Sequence, residues 1–135
     1  MGTVKISRLG AFGFFEGLGQ EDLSFIAVNC SEMAVASGLL LIQEGQVGKE
    51  VFLLEEGSVK VYRGDAKSPR KVAVLEAPTI VGELALLDPA RIRTSSVLAL
   101  SDLRVLSIPI RTFLALVGAF PSVKEKLREV IDARR

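Results

Sequence analysis

Histidine is absent from this 135-residue chain, cysteine occurs once and tryptophan not at all. With no imidazole and a single thiol, at Cys30, disulfides, thiolate clusters and the usual transition-metal ligand sets are excluded, as are haem and iron–sulfur centres. Hydrolytic chemistry lacks its usual groups as well, because the acidic residues do not cluster, so catalysis is the weakest functional reading. Long apolar runs are missing, since charge or glycine interrupts each one, and nothing reads as a membrane span. Met1-Gly2-Thr3-Val4-Lys5-Ile6-Ser7 lacks the apolar core of a secretory signal and has Ile6 where a myristoylation signal carries Ser or Thr. These absences predict a non-enzymatic, cytoplasmic protein that needs neither a metal nor a resident cofactor. A strong net charge is missing too: 17 Lys and Arg against 16 Asp and Glu leave +1. No global field draws the chain to nucleic acid or to an anionic membrane, and any anion it binds must be held locally.

What is present divides by its hydrophobic period. Phe12, Phe14, Phe15, Leu18, Leu23, Phe25, Ile26 and Val28, with Gln20-Glu21-Asp22 at a helix start, predict a turn and then one short amphipathic helix over about residues 20–28. From about 32 to 108 the pattern becomes short apolar runs, at 33–36, 39–42, 51–54, 59–62, 72–75, 95–98 and 103–108, punctuated by Gly38, Gly45, Gly48, Gly57 and Gly64. Many short strands at this spacing predict an antiparallel barrel or sandwich, with a jelly roll the leading architecture. The polar stretch from Gly64 to Arg70 reads as the tip of a hairpin joining 59–62 to 72–75. After Pro109 the helical period returns. Ile110, Phe113, Leu114 and Val117 share one face, and Gly118 is the expected stop. Pro121 opens a second helix in which Val123, Leu127, Val130 and Ile131 form an apolar stripe. That stripe either packs on its own domain or forms a homodimer seam. The expectation is a single α+β, mainly β domain over residues 1–135, flanked by one short N-terminal and two C-terminal helices.

The most informative stretch is Gly82-Glu83-Leu84-Ala85-Leu86-Leu87, followed ten residues after the glutamate by Arg93-Thr94-Ser95-Ser96-Val97. Glycine lets backbone approach closely, the first turn of a short helix offers unpaired N–H donors, and arginine supplies a planar fork of charged donors. This is the equipment of an anion receptor. A cyclic phosphodiester, with one negative charge over two exocyclic oxygens, suits a guanidinium plus a few backbone N–H groups. Arg93 is the expected guanidinium, and Leu84 and small Ala85 carry the N–H groups. Glu83 would accept a hydrogen bond from a hydroxyl of such a ligand, and Thr94 and Ser95 would add donors on the other side. Two competing assignments stand beside these. Arg91 could take the phosphate in place of Arg93, and Arg93 could pair with Asp88 or Glu83.

Together these residues resemble the phosphate-binding cassette of the cyclic nucleotide-binding domain family. Phe14-Phe15-Glu16-Gly17-Leu18 is similar to that family's N-terminal helical region, and Glu44 to Val61 to its glycine-punctuated strands. The resemblance implies a jelly-roll fold and a cyclic nucleotide ligand, cAMP rather than cGMP. Val61, Val72 and Ala73 would line the slot for the base, and a residue of the last helix, Leu127 or Arg128, would cover it. Ala77-Pro78-Thr79 departs from the family's glycine and acidic residue, so the turn before the cassette must be built differently. The implied function is a regulatory sensor that signals through movement of its C-terminal helices to a protein effector or an output domain. The alternative is a nucleotide-independent interaction or dimerisation module that retains the fold.

Overall fold

The computed structural model describes residues 4–134; Met1, Gly2 and Thr3, on which part of the N-terminal reading rests, and Arg135 lie outside them. Helix α1 (Ile6–Leu9) precedes a 3-10 turn at Gly13–Phe15 and helix α2 (Gln20–Val28). Eight strands follow: β1 (Ser31–Val35), β2 (Leu40–Ile42), β3 (Glu50–Glu56), β4 (Ser58–Arg63), β5 (Arg70–Glu76), β6 (Thr79–Val81), β7 (Ser96–Ala99) and β8 (Leu103–Pro109). Helices α3 (Ile110–Ala119) and α4 (Pro121–Arg134) complete the described chain. The strands form two four-stranded antiparallel sheets, ordered β1-β8-β3-β6 and β2-β7-β4-β5. This is the expected jelly roll with helices at both ends.

Side-chain alternation along the strands builds two cores from one sheet. In β3, Val51 and Leu53 point toward the helices, where they join Ile26, Phe113, Leu116 and Val123. Phe52 and Leu54 point between the sheets, against Val59, Val81, Val97 and Val105. Burial on both faces explains why β3 reads as a continuous apolar run instead of an alternating one. Strand β8 repeats the device, with Leu103 and Val105 inside the roll and Leu106 and Ile108 under the helices.

Two elements go beyond the expectations, and one expectation is corrected. The first helical turn, α1, lies in a stretch too short and too polar to announce itself; Leu9 buries its base, and the Arg8 side chain is bonded to Glu32 and Glu55. The three-residue strand β6 is too brief to show a period, and pairing with β3 at Phe52–Val81 and Leu54–Thr79 makes it. Helix α3 runs through Gly118 to Ala119, and it buries Ile110, Phe113 and Leu116, leaving Leu114 exposed. Along α4, Val123, Leu127 and Ile131 are buried against the helical core of their own domain, the first of the two expected uses of this stripe.

Candidate functional site

A cavity of about 310 Å³ opens between the cassette, the inner face of the β4–β5 hairpin and the end of α4. That is the size of a small-molecule site. Its walls include Gly82, Glu83, Leu84, Ala85, Arg93, Thr94 and Ser95 from the cassette and Val61 and Ala73 from the hairpin. Nine of the ten expected site residues therefore meet at one space.

The tenth, Val72, does not. Ala73 faces its β4 partner Val61 across the ladder and turns into the cavity. Its neighbour Val72 must then point to the opposite face, and it is 49% exposed there. Leu75 and Lys71, two residues to either side of Ala73, line the cavity instead. The expected covering residues are also corrected. Leu127 is packed in the helical core, and Arg128 lies in solvent 3.6 Å from Glu125. One turn or more further along, Ala133 and Arg134 reach the cavity.

Arg93 is held from two sides. Its backbone is clamped by the Gly45–Gly48 loop, with the Arg93 N–H donating to Gln46 O at 2.8 Å and the Gly45 N–H donating to Arg93 O at 2.9 Å. Its guanidinium donates to Gly82 O at 3.2 Å and Glu50 O at 2.8 Å and lies 5.6 Å from the Phe52 ring centroid. Two glycines make room for it. A Cβ on Gly48 would stand 2.7 Å from the guanidinium carbon, and one on Gly82, at φ +86°, would stand 2.8 Å from Nη1. The close approach at Gly82 was expected from the sequence, whereas the role of Gly48, which depends on an arginine 45 positions away, was not.

The residue is 6% exposed and has no carboxylate within 4.0 Å among the described residues. Burial lowers its pKa from the ordinary guanidinium value, against the opposing pull of Glu50 and Glu83. A desolvated cation held by neutral carbonyls favours an incoming anion. Pairing with Asp88 or Glu83 is thereby set aside. Arg91 is a separate case: with φ at +58°, it donates to Leu86 O at 2.6 Å and braces the cassette backbone outside the cavity lining.

Glu83 is 2% exposed, on the 3-10 turn Glu83–Leu87. Its carboxylate accepts from Arg134 Nη1 at 2.7 Å. The same guanidinium donates to Ile80 O and to Thr79 Oγ1, the latter at 2.8 Å. Thr79, part of the unusual Ala77-Pro78-Thr79 turn, thus serves as an anchor for the last residue described in α4. No sequence signal pairs position 83 with position 134, because only the packing of α4 brings them together.

Among the described residues no group of acids or thiols could hold a metal ion, and no helix is long and apolar enough to cross a membrane. The cavity brings together one buried cation, Arg93, one buried carboxylate, Glu83, and an apolar wall.

Known proteins resemble this chain in sequence and in fold. The chain is 27% identical over 121 residues to the cyclic AMP receptor protein of Thermus thermophilus, covering 89% of this chain and 56% of that one. It is 37% identical over 93 residues to the cGMP-dependent protein kinase egl-4 of Caenorhabditis briggsae, covering 68% of this chain and 12% of the kinase. The chain thus spans about half or less of the length of these relatives. The regulatory domain of Toxoplasma gondii PKA, solved with cAMP, superposes with a TM-score of 0.81 over 95% of this chain and 48% of that one, at 23% identity. Residues 32–119 match the model of the cyclic nucleotide-binding domain, and the chain belongs to that family.

Proposed function

We propose that this chain is a non-enzymatic sensor that binds a cyclic purine nucleotide and reports its presence through α4. The observation that carries the reading is the convergence of Arg93, Glu83 and Arg134 on one cavity. In this reading the phosphate sits against Arg93 and the N–H groups of Leu84 and Ala85, with Thr94 and Ser95 on its other side. The ribose 2′-hydroxyl donates to Glu83, and the base lies on Val61, Ala73 and Leu75. Because Glu83 is already bonded to Arg134, a ribose must share or take that carboxylate. Nucleotide binding then changes the hold of the cassette on α4, and two arrangements of the helix with different ligand affinity are all that signalling requires. The readout is a protein effector or an output domain joined to this one in a longer protein, as in relatives of which this chain matches only part. The relatives' names include both a cAMP and a cGMP protein, and the sequence expectation is cAMP.

Thermal unfolding with cAMP, cGMP and 5′-AMP tests this reading, using the wild type beside Arg93→Ala. Ligand at a hundred times its dissociation constant stabilises a folded domain by about 2.7 kcal/mol. A rise in midpoint with a cyclic nucleotide, abolished in the variant, is the expected result. A chain that responds to none of the three is instead an interaction module that keeps the fold without the ligand.

A further inference from the structure

The two sheets end on four strands, β1, β6, β2 and β5. An edge strand leaves half of its backbone N–H and C=O groups without a ladder partner, and proteins protect such edges by keeping them short, charged or covered. Strands β2 and β6 have three residues each, and β1 carries Glu32, which is held by Arg8. Strand β5 is different. It runs seven residues, and its centre, Val72-Ala73-Val74-Leu75, has neither charge nor proline. Val72 and Val74 are 49% and 57% exposed, and Ala73 is exposed between them. The strand pairs with β4 alone, in unbroken register from Ser58–Glu76 to Val61–Ala73. Among the described residues no other backbone hydrogen bond reaches positions 70–76. The far edge of β5 is therefore an open template.

Its sequence is complementary to itself when reversed. Arg70-Lys71 stands at one end, Glu76 at the other, and Val72 and Val74 flank Ala73. Two antiparallel copies related by a two-fold axis at Ala73 set Val72 of each opposite Val74 of the other. The same register brings the Arg70-Lys71 end of each copy to Glu76 of the other. Opposed residues of antiparallel strands share a face, so the valine pairs lie outside and the two Ala73 side chains stay on the cavity side. Moving the axis to Val72 sets Arg70 against Val74, and moving it to Val74 sets Val72 against Glu76, so charge and apolar pattern both specify the register. The three charges are free to engage. Among the described residues none of Arg70, Lys71 and Glu76 has an opposite charge within 4.0 Å. The one irregularity is a bulge between Val61–Ala73 and Arg63–Arg70, with Lys71 at φ +49°, and it lies outside the regularly paired residues.

We propose that β5 is an interaction edge for a second copy of this chain, which pairs with it antiparallel about Ala73. The contact is isologous, and it joins two β2-β7-β4-β5 sheets into one sheet of eight strands. An interface of one strand per copy is small, so the dimer is concentration-dependent. Pairing uses the edge of β5 and leaves its cavity face open, and the inference does not depend on the nucleotide reading.

Sedimentation velocity of the whole chain without nucleotide, over a concentration series, provides the test. The wild type is compared with Glu76→Arg, with Arg70→Glu/Lys71→Glu, and with an equimolar mixture of the two variants. All three positions are exposed, so both variants are expected to keep the wild-type circular dichroism and thermal midpoint. The wild type is expected to form a dimer. Each variant alone places like charges at both ends of the strand pair and is expected to dimerise about tenfold or more weakly. In the mixture each end again meets its opposite, and dimerisation is expected to return to the wild-type level. A wild type that stays monomeric up to about 1 mM overturns the proposal and leaves the edge to an extended segment of a different protein. A dimer equally tight in both variants overturns it as well, because association then uses another surface. So does a mixture that associates no more tightly than its components.

Discussion

Arg134, the last residue described in α4, holds the carboxylate of Glu83 in the cassette at 2.7 Å, 51 positions away in sequence. The glutamate is almost wholly buried and the arginine side chain is 20% exposed, so the pair lies at the boundary between core and solvent. Removing either partner affects both the stability of the domain and the position of its last helix.

Replacing Arg134 by alanine leaves a buried carboxylate without its charged donor and frees Thr79 and Ile80 as well. A loss of about 1–3 kcal/mol is expected, the low end applying because the arginine is partly solvated. Denaturant unfolding measures it. Hydrogen exchange adds the functional readout: amides of α4 should lose protection in the variant more than those of β3 do. Equal loss in both elements would mean that the pair acts only through global stability.

Gly48 tests how tightly the guanidinium of Arg93 is placed. In Gly48→Ala the added methyl meets that group, which must leave its bonds to Gly82 O and Glu50 O. The fold should survive, because a side-chain tip can move, while nucleotide affinity falls about tenfold, or ~1.4 kcal/mol. Calorimetry on the folded variant decides it, and unchanged affinity would show that Arg93 does not hold the ligand.

The two faces of β5 should respond oppositely. Ala73→Phe fills the apolar wall and should abolish nucleotide binding with little effect on folding, because Ala73 is exposed to the cavity mouth. Val72→Lys changes the other face and should leave affinity untouched, with stability within about 0.5 kcal/mol of wild type. Equal losses of binding would place the base elsewhere.

Cys30 makes stability depend on alkaline pH. Burial first, and then the nearby Glu55, push its thiol up to about 11, against the pull of Arg8. In that range the unfolded chain releases a proton that the folded chain retains. The stabilising contribution is therefore complete below the ordinary thiol range and is lost as pH rises toward about 11. The thermal midpoint of the wild type should fall more steeply over this interval than that of Cys30→Ala. Parallel slopes would mean that the thiol titrates alike in both states.

Local chemistry along the chain determined much of this protein. Alternating and helical periods are properties of a few consecutive residues, so helix α2 at 20–28, the β4–β5 hairpin and the start of α4 at Pro121 were legible. The cassette was legible for the same reason, since Gly82, Glu83, Ala85 and Arg93 lie within twelve positions of one another. Tertiary structure decided the rest. Strand β6 exists because β3 pairs with it, and ladder parity turns Ala73 into the cavity and Val72 away from it, which a bare apolar run does not reveal. Gly48 matters only because Arg93 comes to lie against it. The partner of Glu83 was placed by packing, as Val123, Leu127 and Ile131 seat α4 on the core and carry its last turn to the cassette. Sequence records which groups are available, and long-range burial determines which of them meet.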